Sequence, residues 1–195
     1  MKAVQEVDPI AVRPVAATIA SDHPEALDST FHYHQAAAIH RYVTENITYV
    51  PDPRGSNNNY VASPEETLET GAGDCDCQAV LTASLLGAIG AETRLVRCES
   101  VHGEFHMLAE VYLGDVGSGE LQPVFDSLAA FYADEGAQYT DFYYSEDDGA
   151  CWFQADTAMG RYIGDIEILS DEGYIHGPDE AYDWEWHNAD FFYHD

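Results

Sequence analysis

Apolar residues recur at intervals of three and four between Thr30 and residue 46, which predicts an amphipathic helix with Ser29 or Thr30 as its N-cap. Ile47 to Val50 has the composition of a short strand, and the proline- and asparagine-rich stretch 51–59 predicts a loop. Residues 1–29 contain three prolines and predict an extended N-terminal arm. The periodic part of the chain therefore begins near residue 30.

Two further helices are predicted, and the second must be buried. A capping box with Ser63 as the N-cap and Glu66 at its third helical position begins a short helix that ends before Gly71. A glycine-rich connection then leads into a helix from Cys75 to Ile89. Apolar residues cover more than half of the circumference of this helix. Such a pattern is typical of a helix that is enclosed on several sides.

Three strand-like runs follow the buried helix, at 93–98, 105–113 and 122–126, and a glycine-rich turn over 114–119 joins the last two. A helix followed by an antiparallel meander predicts an α+β domain in which the sheet packs on the helix. We therefore expect one core domain over residues 30–127.

The C-terminal third, residues 128–195, differs in composition from this core. It holds most of the aromatic residues, nearly half of the acidic residues and a single basic residue, Arg161. A free acidic tail would not carry so many aromatic side chains. We expect an irregular, acidic and aromatic extension that packs on the core or on a partner protein.

The net charge is the most unusual property of the chain, with 7 basic and 36 acidic residues giving −29 at pH 7. Lys2 is the only lysine. Such a surface repels phosphate groups, so neither nucleic acid nor a membrane surface is an expected partner. Self-repulsion of this size is screened at molar salt, which predicts a protein of a halophilic organism. No signal peptide or membrane span is predicted, so the expected location is cytoplasmic, or a virion if the gene is viral.

Four cysteines without an export signal are expected to be thiols, and one of them has a position suited to catalysis. Cys75 begins the buried helix, where unpaired amides and the helix dipole favour a thiolate and can stabilise an oxyanion. His106 opens a predicted strand and could act as its base, and Asp126 on the next predicted strand could orient the imidazole. The order of these three residues along the predicted elements indicates a Cys-His-Asp relay.

The same residues resemble the core of the transglutaminase-like superfamily of papain-fold cysteine enzymes, in the short form found in prokaryotes and tailed viruses. The resemblance covers about residues 30–127. It implies Cys75 as nucleophile, His106 as general base and acid, and Asp126 as the orienting carboxylate, acting through a thioester on amide or peptide carbonyls without a cofactor. The residues that carry it are Gly73-Asp74-Cys75-Asp76, Leu85-Leu86-Gly87-Ala88-Ile89-Gly90, Thr93-Arg94-Leu95-Val96, His106-Met107-Leu108-Ala109-Glu110-Val111-Tyr112-Leu113, Phe125-Asp126 and the upstream Tyr49-Val50-Pro51-Asp52.

Strand alternation raises a conflict for His106, because the more apolar face of its strand carries Phe105 and Met107 instead. If that face packs on the helix, His106 points away from Cys75 unless a bulge intervenes or the sheet is covered on both faces. His102 is an alternative base.

Two other functions remain open from the sequence. Cys75, Cys77, His102 and His106 have the side chains that bind zinc, although a one-residue cysteine spacing is not typical of zinc sites. A papain-like fold could also serve as a non-catalytic structural or interaction module, for example in the head or tail of a haloarchaeal virus, with the aromatic extension contacting a partner. The expected partners are accordingly a protein or peptide substrate, or the other proteins of an assembly.

Overall fold

The computed structural model describes residues 2–23, 33–52, 60–99, 105–115, 121–139, 142–165 and 190–193. The described helices are α1 (Lys2–Glu6), α2 (Pro9–Ser21), α3 (Tyr33–Asn46), α4 (Pro64–Thr70), α5 (Cys75–Ala88) and α6 (Leu121–Asp134). The described strands are β1 (Thr48–Tyr49), β2 (Ala72–Gly73), β3 (Thr93–Glu99), β4 (Phe105–Asp115), β5 (Tyr144–Asp147), β6 (Ala150–Ala155) and β7 (Asp190–Tyr193).

Helix α5 is enclosed, as its composition predicts. Nearly all of its side chains are buried, because apolar residues occupy almost the whole circumference. Val80 and Ala83 pack with Leu95 of β3 and with Met107 and Ala109 of β4. Helices α2, α3 and α4 also contact α5. The helix that carries Cys75 is therefore held between the sheet and other helices, which fixes the position of its first turn.

Five strands form one antiparallel sheet in the order β5-β6-β4-β3-β7. Strands β3 and β4 are neighbours in the chain and in the sheet, with Cys98 opposite His106. A separate two-stranded parallel pair, β1 and β2, aligns Tyr49 with Gly73 just before α5 begins. This arrangement confirms the predicted α+β fold class.

The predicted strand at 122–126 is wrong, because these residues belong to helix α6. Val124, Leu128, Phe131 and Tyr132 are the buried residues of α6, and their spacing of four, three and one is that of one helical face. The five-residue run was too short to distinguish a strand from the first turns of this helix. Strand β4 lies between β3 and β6, and β6 comes later in the chain than α6.

The N-terminal segment is helical over most of its described length, and the prediction of an extended arm is wrong there. Asp8 caps α2 by accepting hydrogen bonds from the amides of Ile10 and Ala11, and Pro9 occupies the first turn, where a missing amide hydrogen costs nothing. Val12 and Ala16 are fully buried in the main core. Packing of this face on the domain outweighs the helix-breaking effect of the interior Pro14.

The predicted boundary at residue 127 falls inside α6, and the residues beyond it supply three of the five strands of the sheet. Residues 142–165 are thus part of the main core and not an irregular extension, with Phe153 and Ile163 fully buried in it. Aromatic rings of this segment stack on rings that precede it in the chain. The rings of Tyr162 and Tyr139, for example, have centroids 3.8 Å apart. No helix in the described part of the chain is long and apolar enough to cross a membrane.

Candidate active site

Cys75 is the first residue of α5, and the residues before it fix this helix start. Asp74 is the N-cap, and its carboxylate accepts a hydrogen bond from the amide of Cys77 at 3.4 Å. Gly73 allows the preceding strand to pass close to the helix, since a Cβ at this position would lie 2.6 Å from the Cβ of Cys77. The thiol of Cys75 is therefore presented at a helix N-terminus and is partly exposed.

His106, the second residue of β4, lies beside Cys75. Its imidazole Nε2 donates a hydrogen bond to Oδ2 of Asp156 at 2.8 Å, and the thiol of Cys75 is close enough to contribute to the raised pKa of the ring. His106 and Asp156 are both buried, with 8% and 2% of their surfaces exposed. The structure thus brings together two of the three predicted residues, with a carboxylate from a different part of the chain.

The conflict raised by strand alternation is resolved because β4 is buried on both faces. Met107 and Ala109 pack with residues of α5, as the apolar pattern requires. On the alternate positions, Glu110 is fully buried and accepts a hydrogen bond from Arg94 Nε at 2.7 Å. His106 shares these alternate positions, and Cys75 is nevertheless close enough to contribute to the raised pKa of its ring. The β-bulge between β4 and β6 lies at Tyr112–Gly114, away from this site.

Asp156 directly follows β6, where a tight turn holds its side chain in place. Its Oδ1 accepts hydrogen bonds from the amides of Ala158 and Met159, at 3.0 and 3.2 Å. Its Oδ2 is left to accept the bond from His106. A carboxylate with one oxygen fixed by the backbone can hold an imidazole in a single orientation.

The electrostatics of the pair favour a charged imidazole. Burial alone would lower the pKa of His106, but the charge and hydrogen bond of Asp156, together with Cys75, outweigh it and raise the pKa to about 10. For Asp156, burial would raise the pKa, yet His106 and the two turn amides lower it. His106 is therefore stabilised as an imidazolium when Asp156 is ionised.

Asp126 does not occupy the predicted position. It lies on α6, is exposed, and its Oδ1 accepts a hydrogen bond from the side chain of Gln122 at 2.8 Å. The carboxylate that contacts His106 is Asp156. The prediction of Asp126 depended on a strand at 122–126, and the helix in that place removes its basis.

A sequence signal for Asp156 was present. The run Ala150–Ala155 is apolar and aromatic except for Gln154, and an acidic residue follows its end, as expected beside a site at a strand terminus. The acidic and aromatic composition of residues 128–195 predicts an extension, and this prediction conceals a strand of the core within them. His102, the alternative base, lies outside the described residues.

The three other cysteines are buried and differ from Cys75 in accessibility. Burial raises the pKa of Cys77 to about 12, and burial also raises the pKa values of Cys98 and Cys151. Each of these thiols is therefore kept protonated at neutral pH. Only Cys75 among the four is accessible enough to act as a nucleophile.

The residues considered for zinc from the sequence do not form a ligand cluster within the described part of the chain, and His102 lies outside it. In the described part of the chain, Asp74, Asp76 and Cys77 offer ligand atoms within 4.8 Å of one another. The protonated thiol of Cys77 donates to the carbonyl of Tyr60 and accepts from the amide of Ala62, which makes it a poor zinc ligand.

Comparison with known structures gives matches of low identity. A candidate cysteine protease from Cytophaga hutchinsonii is 22% identical over 54% of this chain and 34% of its own, with a TM-score of 0.42. Calcium-bound LapG of Legionella pneumophila is 18% identical over 65% of this chain and 54% of its own (TM-score 0.40). A candidate protease from Parabacteroides distasonis is 14% identical over 56% of this chain and 22% of its own (TM-score 0.44).

The chain thus spans about half or less of the length of each of these proteins. No curated protein sequence matches it significantly. A family model described as the transglutaminase-like superfamily matches residues 20–123, which include Cys75 and His106 and make up more than half of the sequence. The α+β fold is the one expected for that family, and the chain belongs to the transglutaminase-like superfamily.

Proposed function

We propose that the protein is a cysteine enzyme that cleaves or transfers acyl groups at amide or peptide carbonyls. In this proposal Cys75 is the nucleophile, His106 is the general base and acid, and Asp156 is the orienting carboxylate. The observation that carries the proposal is the buried 2.8 Å hydrogen bond between His106 and Asp156, together with a partly exposed Cys75 thiol that helps to raise the pKa of the ring. Membership of the transglutaminase-like superfamily supports it.

The hydrogen bond to Asp156 determines which nitrogen of His106 can act as the base. A carboxylate can only accept, so Nε2 carries the proton and Nδ1 is left to take the proton of the thiol. Transfer of this proton gives a thiolate and an imidazolium. Asp156 stabilises the imidazolium, as the raised pKa of His106 indicates. Cys75, His106 and Asp156 can therefore act together as nucleophile, base and orienting carboxylate.

In the reaction the sulfur attacks the carbonyl carbon, a C–S bond forms, and the electron pair of the C=O bond moves to oxygen. The tetrahedral intermediate then collapses, the C–N bond breaks, and His106 gives its proton to the leaving amine. Water or a second amine attacks the thioester while His106 takes a proton from it, and the C–S bond breaks to release the thiolate. Water gives hydrolysis, and an amine gives transamidation.

The N-terminus of α5 supports the developing oxyanion. The first amides of an α-helix have no intrahelical acceptor. The Asp74 side chain accepts from the Cys77 amide, and the Asp74 carbonyl accepts from the amide of Gln78. The amide of Cys75 itself precedes both of these and lies next to the attacking sulfur, where it can donate to the oxyanion.

The surroundings of the site fit a polypeptide substrate. Five large apolar side chains in the described residues are exposed, namely Ile10, Tyr49, Val50, Tyr60 and Phe105. All except Ile10 belong to segments next to the proposed relay. Tyr49 pairs with Gly73, Tyr60 contacts Cys77 through its carbonyl, and Phe105 precedes His106. Exposed aromatic groups around a nucleophile can bind the side chains that flank a peptide bond.

Selective alkylation tests the proposal. Wild-type protein is treated with iodoacetamide at pH 6 in molar KCl, and each cysteine is quantified by peptide mass spectrometry. We expect Cys75 to react far faster than Cys77, Cys98 and Cys151, because it is accessible and has His106 as its proposed base, whereas burial raises the pKa of the other three thiols. His106→Ala should remove most of this advantage.

Cys98→Ser is the matched control, since Cys98 lies opposite His106 on β3 but is buried. This variant should leave the alkylation rate of Cys75 unchanged. Slow and equal labelling of all four cysteines in the wild-type protein would contradict the enzyme and favour a non-catalytic module.

A further inference from the structure

A buried histidine on α3 contacts the backbone of the proposed relay. His40 is fully buried, and its imidazole Nε2 lies 2.9 Å from the carbonyl oxygen of Asp156, 116 positions away in the chain. A carbonyl oxygen can only accept a hydrogen bond, so Nε2 of His40 is the donor and carries the ring proton. Helix α3 is thereby bonded to the residue that holds His106.

Asp156 forms one set of hydrogen bonds with its side chain and a second set with its backbone carbonyl oxygen. Its side chain bonds to His106 through Oδ2 and to the turn amides through Oδ1. Its carbonyl oxygen accepts from His40 and from the amide of Gly160, at 2.9 and 3.1 Å. The side chain can point at His106 only if the peptide plane that carries it is fixed, and these two donors fix that plane.

Gly160 gives an independent indication that the position of this carbonyl is constrained. A Cβ at residue 160 would lie 2.6 Å from the carbonyl oxygen of Asp156, closer than real Cβ contacts occur. The turn from 156 to 160 therefore closes tightly over the same oxygen that His40 contacts from α3. Thr82 of α5 adds a buried hydroxyl contact to Thr157, at 3.1 Å.

The neutral form of His40 fits this role. The pKa of His40 is lowered, chiefly by burial, which keeps the ring uncharged. With the proton on Nε2, Nδ1 is an acceptor, and it has no hydrogen-bond partner among the described residues. The single proton of the ring is thus committed to the Asp156 carbonyl.

We infer that His40 is a positioning residue of the acyl-transfer site, which holds the Asp156 carbonyl so that the carboxylate meets His106. The inference rests on the proposed function. In this proposal His40 contacts neither the Cys75 thiol nor the substrate. It acts through Asp156, and its loss should weaken the stabilisation of the His106 imidazolium and slow the reaction of Cys75.

Two variants of nearly equal volume test it. His40→Gln keeps an N–H donor at about the position of Nε2, whereas His40→Met has none. Ile39→Val, at the fully buried neighbour on α3, is the control for a small loss of packing that leaves Asp156 untouched. The rate of Cys75 alkylation by iodoacetamide is measured from pH 5 to 9 for all four proteins, and folding is checked by circular dichroism.

For His40→Met we expect the acid limb of the profile to move to higher pH and the rate at pH 6 to fall about tenfold to a hundredfold, as for other partners that orient a catalytic group. His40→Gln should stay close to wild type, as should Ile39→Val. The positioning role is overturned if His40→Met and Ile39→Val have the same profile, or if His40→Gln loses as much as His40→Met.

Gly160→Ala provides the second test if His40→Met does not fold. The added Cβ pushes on the same carbonyl while His40 is intact, so the acid limb should again move to higher pH. An unchanged profile in folded Gly160→Ala would overturn the inference. Failure of the proposed function is distinguishable, because Cys75 would then be slow to react in the wild-type protein as well.

Discussion

His106 and Asp156 are joined by a 2.8 Å hydrogen bond although they are 50 residues apart and lie on or next to the neighbouring strands β4 and β6. Both are buried, and each changes the protonation of the other: the pKa of the histidine is raised and that of the aspartate is lowered. A buried pair of this kind beside an accessible cysteine is the arrangement from which the proposed chemistry follows.

Replacement of Asp156 by asparagine should slow the reaction of Cys75 with iodoacetamide at pH 6. The amide oxygen of the new side chain would remain on the amides of Ala158 and Met159, so its NH₂ group would face Nε2 of His106. The ring would then be protonated on Nδ1 and unable to take the thiol proton. The rate at pH 6 should fall by about tenfold or more, as when a partner that orients a functional group is removed.

Asp126→Asn is the matched control for this experiment. Asp126 is exposed and bonded to Gln122, so its substitution should leave the alkylation rate unchanged. A loss of rate in Asp126→Asn together with a normal rate in Asp156→Asn would restore the assignment made from the sequence and refute the present one.

The parts of the site that the sequence predicted are those determined by local pattern. Cys75 is identified by a capping aspartate and a glycine-rich connection that precede an apolar helix, all of which lie between residues 71 and 88. The short strand before it, Thr48–Tyr49, and the capping box at Ser63 are local in the same way. Their identification required no knowledge of the strand order.

Asp156 could not be found by the same reasoning, because its position depends on which strand pairs with β4. The next apolar run in the chain forms helix α6, and the sheet is continued by β6 instead. Sequential strands are neighbours in most sheets, so the simplest expectation selected Asp126. The contact of His40 with Asp156 spans 116 residues and leaves no local signal at all.

The stability of the protein should depend on pH through the His106–Asp156 pair. The folded pKa of His106 is raised to about 10, so its contribution is present in full below its ordinary value of about 6.5 and is lost as pH rises towards 10. The folded pKa of Asp156 is lowered from 3.8, so its contribution is present above 3.8 and is lost as pH falls through the folded value.

The difference in unfolding free energy between wild type and Asp156→Asn should therefore be largest between about pH 4 and 6.5 and should shrink on both sides. Urea unfolding across pH 3 to 10, at constant molar KCl, measures this difference. A difference that stays constant between pH 7 and 10 would show that His106 is already neutral in the folded protein and would contradict its raised pKa.

Added salt should stabilise the fold, because the chain has a net charge of −29. The Debye length falls from about 10 Å at 0.1 M to about 3 Å at 1 M salt, which screens repulsion between the surface carboxylates. Each kcal/mol of repulsion removed should raise Tm by about 2–4 °C in a chain of this size. Thermal melts in 0.1 M and 2 M KCl test the prediction.

Sucrose is the control for this effect, since it is excluded from protein surfaces but does not screen charge. We expect a much larger increase in Tm with KCl than with sucrose at equal osmolality. Equal increases, or no increase, would remove the argument for a halophilic origin.

Gly73→Ala should destabilise the protein and slow the reaction of Cys75. The new Cβ would lie 2.6 Å from the Cβ of Cys77 and 3.5 Å from Cγ2 of Thr67, so the first turn of α5 must move away from β2. Forced contacts of this kind typically cost about 1–3 kcal/mol.

A double-mutant cycle with Cys77→Gly separates this clash from any effect on the backbone alone. Cys77→Gly removes the atom that the added methyl group at position 73 would strike, with a loss of about 1 kcal/mol for a glycine in a helix. If the clash is the cause, Gly73→Ala should be less destabilising, and should slow Cys75 less, in the Cys77→Gly background than in the wild type. Additive losses would mean that Gly73 is required for its own backbone conformation and does not position α5 through contact with Cys77.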